Sequence, residues 1–240
     1  KETIDKIAAG EVIDRPESVV RELLDNAIDS GAGKISLEIR AGGTELIRVT
    51  DDGCGIEKED IRTAFLRHAT SKLVDAGDLE HIRTMGFRGE ALASIAAVSR
   101  TEVITKTRDS MTGFRYQISG GVEGELSEVG VPEGTTMLVR DLFYNVPARK
   151  AFLRSSQTEA AYVTDTAEKA ALSHPHIAFT YISDGRTIFH TTGSGRLSEV
   201  IYTIYGRELS RSLLEVSEEV PEAGISISGY IGKPVIARAR

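Results

Sequence analysis

The stretch from Val19 to Ala32, VVRELLDNAIDSGA, constrains the fold more than any other part of the chain. At about 100° per residue, Val19, Val20, Leu23, Leu24, Ala27 and Ile28 fill one arc of a helix, and Arg21, Glu22, Asp25, Asn26 and Asp29 fill the other. A helix so divided must lie on a core. Glu22 and Asn26, four residues apart, project side by side at the border of the two arcs, next to Val19, where a helix lying on a core meets the lip of a cleft. Pro16 suits the first helical turn, followed by the acidic Glu17, and Gly31 supplies a stop after Asp29 and Ser30. A carboxylate and a carboxamide paired in this way are most often plain solvated surface. The residues downstream of Ala32 raise their significance.

Lys34 to Arg40 alternates, with Ile35, Leu37 and Ile39 on one face, and the Ala41-Gly42-Gly43-Thr44 turn returns the chain through Leu46, Ile47 and Val49. This is an antiparallel hairpin. At its end stands Asp51-Asp52-Gly53-Cys54-Gly55-Ile56, in which two glycines flanking one residue let the backbone take positive φ and approach a flat ligand. Asp51, at the mouth of the strand, can accept a hydrogen bond from an exocyclic amine such as that of adenine. An ordinary Asp/Gly turn is the plainer reading of the same residues.

A helix is expected from about Glu59 to Leu66, and Arg67-His68-Ala69-Thr70-Ser71-Lys72 comes after it. Gly86-Phe87-Arg88-Gly89-Glu90-Ala91-Leu92 then leads into an apolar helix, Leu92 to Val98. Glycines placed before a helix start leave outward-facing N–H groups, with the positive end of the dipole behind them, an arrangement suited to phosphates. Strands are expected at Thr101 to Thr107, Gly113 to Ser119 and Thr135 to Leu142, and the Thr135 hydroxyl can face the same cleft as Asp51. Phe143 to Arg154 reads as an ordered loop, Gln157 to Ser173 as a helix ended before Pro175, and Ile177 to Ile182 with Thr187 to His190 as a hairpin. Gly193-Ser194-Gly195 is the linker candidate; past it come a helix, Arg196 to Tyr205, and strands near Leu213 to Val216 and Ile225 to Ile231. A short helix is expected upstream, at Ile4 to Val12. His68 has no second ligand at helical spacing and reads as a packing or hydrogen-bonding residue, and the other, scattered histidines, His81, His174, His176 and His190, read as structural.

With 240 residues, 40% of them hydrophobic, the chain can bury a substantial core. Its formal charge of -7 means that its overall field does not hold it to nucleic acid, so any DNA contact needs a local basic patch. The lone Cys54 excludes an intrachain disulfide and agrees with a reducing compartment. Ala91 to Val98, the longest small apolar run, is far too short to span a bilayer, so no membrane association is expected.

Several strings together carry a resemblance. ELLDNAIDSGA at Glu22–Ala32, DDGCGI at Asp51–Ile56, GFRGEAL at Gly86–Leu92 and GTT at Gly134–Thr136 are similar to the marks of the GHKL ATPase superfamily. IAAGEVIDRP at Ile7–Pro16, RHATSKL at Arg67–Leu73 and LFYNVPARKAFL at Leu142–Leu153 resemble the amino-terminal region of MutL-type DNA mismatch-repair proteins within it. The match is dense from Ile4 to about Phe152 and loose beyond.

The resemblance implies an α+β fold, a two-layer α/β sandwich of the GHKL (Bergerat) type over residues 1–193, with residues 194–240 beginning a second, gyrase-like domain. It implies a magnesium-dependent, slow, switch-like ATPase. Glu22 matches the family's general base and Asn26 its magnesium ligand. Asp51 matches the adenine-reading carboxylate, with Gly53, Gly55 and Ile56 beside the base and Thr135 in support. Thr70, Ser71, Lys72 and Gly86, Phe87, Arg88, Gly89, Glu90, Ala91 and Leu92 match the lid over the phosphates. The implied partners are ATP, a mismatch-recognition protein of the MutS type, DNA and, when ATP is bound, a second copy of the chain; the implied location is the bacterial cytoplasm, or the nucleus if the source is eukaryotic. Arg149, Lys150, Arg154, Lys233, Arg238 and Arg240 are the candidates for a basic patch. Two alternatives stand beside this reading: a scaffold that senses ATP without hydrolysing it, and another GHKL enzyme such as a topoisomerase subunit or a histidine kinase.

Overall fold

The computed structural model describes residues 13–66 and 91–236. The expected helix at Ile4 to Val12 lies outside them, as do Thr70, Ser71, Lys72, Gly86, Phe87, Arg88, Gly89 and Glu90.

The amphipathic stretch forms α1, Pro16–Asp29, with Pro16 in its first turn. Val19, Val20, Leu23, Leu24 and Ala27 are buried, while Arg21 and Asp29 are exposed. Glu22 and Asn26 are half-buried, at the border of the two faces. The hairpin comes next as β1, Lys34–Arg40, and β2, Leu46–Asp51, paired antiparallel through a 3-10 turn at Ala41–Gly43. After it stand α2, Lys58–Thr63, and α3, Ala91–Ala97, then strands β3, Arg100–Lys106, β4, Gly113–Ser119, β5, Val122–Val129, and β6, Gly134–Arg140. A short helix α4, Pro147–Phe152, interrupts the expected loop after β6, started by a proline in its first turn. The long helix α5, Ser156–Ser173, is capped by the Ser155 side chain, which accepts from the Thr158 amide. β7, Ala178–Ser183, and β8, Arg186–His190, complete the main sheet.

The strand order of that sheet is β5-β4-β3-β6-β2-β1-β7-β8. Among the described strands only β1 and β7 pair in parallel, and α5 lies on the connection that brings β7 there. Alternation along the strands divides the two faces. Ile35, Leu37, Ile39, Ile47, Val49, Val103, Met137, Val139, Phe179 and Tyr181 pack under α1, α3 and α5, whose core residues include Ile95, Val163, Ala167 and Ala171. The opposite face carries ion pairs instead: Glu38 with Arg40 and Arg48, and Glu102 with Arg115. One layer of helices on one face of a mixed sheet is the expected two-layer α+β sandwich.

Three local differences from the sequence expectation have physical reasons. β5 has no counterpart in the apolar patterning, because VEGELSEV carries three glutamates; it survives as an edge strand with its side chains mostly solvated. β6 stops at Arg140, short of Leu142, because Asp141 and Phe143 take positive φ (51° and 62°) and turn the chain away. The last helix, α6, Leu197–Arg211, runs past Tyr205 by kinking at Gly206. Its first turns seat Val200 and Ile201 on the core. Beyond it β9, Leu213–Val220, and β10, Ile225–Gly232, pair with each other, among the described residues with no other strand, and leave Val220, Ile225, Ile227 and Ile231 about half exposed.

Candidate functional site

Asp51 closes β2 and is 9% exposed. Its Oδ1 accepts the Gly53 amide at 2.9 Å and lies 3.4 Å from the Ser30 hydroxyl. Burial raises the Asp51 pKa above the ordinary aspartate value, aided by the neighbouring Asp52 charge and opposed by the hydrogen bonds from the Gly53 and Thr135 backbones and the Ser30 side chain. The adjacent Asp52 is used differently: its exposed carboxylate accepts the Gly33 and Lys34 amides at 2.8 and 2.7 Å and fixes the start of β1. Of the two aspartates, Asp51 is thus the one buried at the end of the strand, and Asp52 the one committed to the start of β1.

Ser30 ties this strand end to α1. Residues 22, 26 and 30 are spaced by four, so Glu22, Asn26 and Ser30 form one row down the helix. The Ser30 amide bonds the Asn26 carbonyl at 3.0 Å, and its hydroxyl bonds the Ala27 carbonyl at 2.7 Å. The row therefore runs about 12 Å along the helix from Glu22 to Ser30, at 1.5 Å per residue, and ends on Asp51 beside Ser30. It brings a half-buried carboxylate, a carboxamide and a buried carboxylate to one edge.

The turn after Asp51 is held tightly. Gly53 does not use positive φ; it is required because a Cβ there would overlap the Ser30 hydroxyl. Gly55 does use it (φ 73°), and a Cβ there would strike the Lys106 carbonyl. Cys54 between them is exposed. Ile56, half-buried, donates its amide to the Thr105 hydroxyl at 2.9 Å. Thr135 lies opposite Asp51 in the β2–β6 register and opposite Thr105 in the β3–β6 register, so the three side chains form a row across three strands. The Thr105 and Thr135 hydroxyls are 3.0 Å apart.

Asp51, Gly53, Gly55, Ile56 and Thr135 are thus assembled around one strand end, with α1 attached to it through Ser30. Ala91 and Leu92 open α3, half-buried. Two members of the site are not legible as such in the sequence: Ser30, which reads as part of a helix stop, and Thr105, one of several threonines in a strand. Of the basic candidates, Arg149 is engaged within the fold, 3.4 Å from the Ile13 carbonyl and 6.0 Å from the Phe143 ring, while Lys150, Arg154 and Lys233 are exposed; Arg238 and Arg240 lie outside the described residues.

Among the described residues no cluster of three or more His, Cys, Asp or Glu side chains could hold a metal ion, and no helix is long and apolar enough to cross a membrane. A single carboxamide such as Asn26 suits a magnesium ion whose other ligands are water and phosphate oxygens, rather than one caged by protein.

The fold and this strand-end site define a GHKL-type ATPase domain: residues 14–125 match the family of histidine kinase-, DNA gyrase B- and HSP90-like ATPases. The chain is 55% identical over 238 residues to the DNA mismatch repair protein MutL of Agathobacter rectalis, covering 99% of this chain and 36% of that protein. Among solved structures, the MutL ATPase domain of Aquifex aeolicus complexed with ADP is 30% identical, with a TM-score of 0.70, covering 86% of this chain and 73% of that one. The N-terminal domain of a DNA repair protein superposes with a TM-score of 0.81 at 26% identity, covering 96% of this chain and 71% of that one. The chain belongs to the MutL family, as its amino-terminal GHKL ATPase region. It spans little more than a third of the length of the full-length relative. Membership decides against the topoisomerase-subunit and histidine-kinase alternatives.

Proposed function

We propose that the chain binds ATP with magnesium along the α1 edge and hydrolyses it slowly, as a conformational switch in DNA mismatch repair. The observation that carries this reading is the row Glu22, Asn26, Ser30 ending on the buried Asp51 carboxylate. Its length suits a nucleoside triphosphate laid with its base at Asp51 and its terminal phosphate at Glu22. Asp51 accepts from the adenine amine, Gly53, Gly55 and Ile56 line the base and Thr135 supports it. Glu22 takes a proton from the attacking water. Asn26 would hold the magnesium ion, which when bound neutralises phosphate charge. Phosphoryl transfer asks little covalent chemistry of the protein, so alignment and charge supply most of the acceleration.

In the same reading Thr70, Ser71, Lys72 and Gly86 to Leu92 close over the phosphates, and ATP binding favours pairing of two amino-terminal regions into a clamp. Residues 1–193 form the ATPase unit and 194–240 begin a second domain, whose first helix, α6, is seated on the ATPase core through Val200 and Ile201. In the whole protein the clamp engages a MutS-type partner and DNA, the latter through exposed cations including Lys150 and Arg154. The cytoplasm is its place of action.

Replacing Glu22 tests the reading. Glu22→Ala is expected to bind ATP as the parent does and to lose roughly 10²- to 10⁴-fold in magnesium-dependent turnover, the range for a general base. Equal turnover in parent and variant would mean that the chain senses nucleotide without using this carboxylate.

A further inference from the structure

The row Glu22, Asn26, Ser30 continues one turn the other way. Ser18, half-buried, lies four residues before Glu22, with Cβ atoms about 5–6 Å apart on one helical ridge, and Asp14 lies four before Ser18. Helical side chains lean toward the N-terminus, so the Glu22 carboxylate is carried back over the turn that holds Ser18. The Ser18 hydroxyl donates to Asp14 Oδ1 at 2.5 Å, the short length of a hydroxyl bonded to a carboxylate oxygen. A hydroxyl has one proton and two lone pairs, and a carboxylate only accepts. With its proton held by Asp14, Ser18 has none for Glu22, and its oxygen stands one turn from that carboxylate as a second acceptor.

We propose that Ser18 is a further residue of the catalytic edge, one that orients the attacking water for Glu22. A water lodged between the two acceptors donates one hydrogen to each, which leaves its oxygen lone pairs for the terminal phosphorus. As the water oxygen bonds to that phosphorus, the bond to the bridging oxygen breaks and ADP leaves. One water proton passes to Glu22, and the other, directed at Ser18, stays on the new phosphate oxygen. Asp14 acts at one remove, as a positioning residue: without it the Ser18 proton is free to turn to Glu22, occupying the base and setting a donor where the water needs an acceptor. The inference rests on the reading of Glu22 as the general base.

The test compares magnesium-dependent ATP turnover by the 240-residue chain and its variants. Ser18→Ala is expected to lower kcat roughly tenfold, the worth of about one hydrogen bond, with KM and ADP affinity as in the parent. Ser18→Thr, which returns the hydroxyl, is expected to restore most of that rate. Asp14→Ala is expected to lower kcat as well, but only while Ser18 is present, so the double variant should be no slower than Ser18→Ala. A merely structural contact between Asp14 and Ser18 would lower the melting temperature and leave kcat unchanged, or lower kcat additively in the double variant; either result would overturn the proposal. Calorimetry reads the same claim without turnover. Ser18→Ala should weaken binding of ADP with magnesium and aluminium fluoride, a mimic of the phosphoryl group under attack, and spare binding of ADP alone; equal affinity of parent and variant for the mimic refutes it. Glu22→Ala, run in parallel, separates the two claims. If it turns over as the parent does, the proposal falls with the reading of Glu22 as the base; if it is impaired while Ser18→Ala is not, the proposal falls alone.

Discussion

At the residue scale, the site is governed by how closely its atoms approach. Ser30 leaves no space at position 53, so Gly53→Ala must push the helix end or the strand end aside, an overpacking cost of about 1–3 kcal/mol. A thermal melt should show the loss, and adding Ser30→Gly should recover most of it; no recovery would mean that the strain lies elsewhere. Asp51 makes a second prediction. Its pKa is raised by burial, so its ionisation costs the folded state free energy above the raised pKa, and that cost is absent below the ordinary aspartate value. Asp51→Asn should therefore melt no lower than the parent at neutral pH in the absence of nucleotide, while losing adenine-nucleotide affinity. For the same reason, ADP affinity of the parent should decline on acidification at a pH higher than an ordinary aspartate would set, as the carboxylate gains the proton that blocks its acceptor role.

At the element scale, α1 does two jobs with two faces. Leu23 is 2% exposed against the sheet, and Leu23→Ala should cost about 2–5 kcal/mol, measured by denaturant unfolding, with a correspondingly weakened site, because Glu22 and Asn26 are placed by the same helix. This element is legible in the sequence, since a 3.6-residue apolar period and a carboxylate at its border are local patterns. So are β1 and β2, whose period of two ends on Asp51. The row Asp51–Thr135–Thr105 is only partly legible. Its members come from three strands spread over more than 80 positions, and the register that aligns them is set by pairing rather than by any local string. Ser30 escapes notice for a related reason: a serine before glycine signals a helix end, whereas its use depends on where β2 stops. β5 escapes notice because an edge strand with a solvated face needs no apolar alternation.

At the scale of the whole molecule, the large sheet and its helices hold one core, and the chain after α6 adds little to it. Removing residues 213–240 should leave the melting temperature of the main fold nearly unchanged, because β9 and β10 pair with each other and keep most side chains exposed. Removing residues 197–240 should lower it by several degrees, since Val200 and Ile201 then leave the core. Equal effects from the two truncations would mean that α6, although it begins the second domain, adds nothing to the stability of the core. The central claim is that one row of residues on α1, ending at Asp51, is the nucleotide cleft. It is tested most directly by a crystal structure of the chain with magnesium and a non-hydrolysable ATP analogue. The predicted result is the adenine amine within roughly 3 Å of the Asp51 carboxylate and the terminal phosphate beside Glu22 and Asn26. A nucleotide bound with its base away from Asp51, or its phosphates away from that edge of α1, would contradict it.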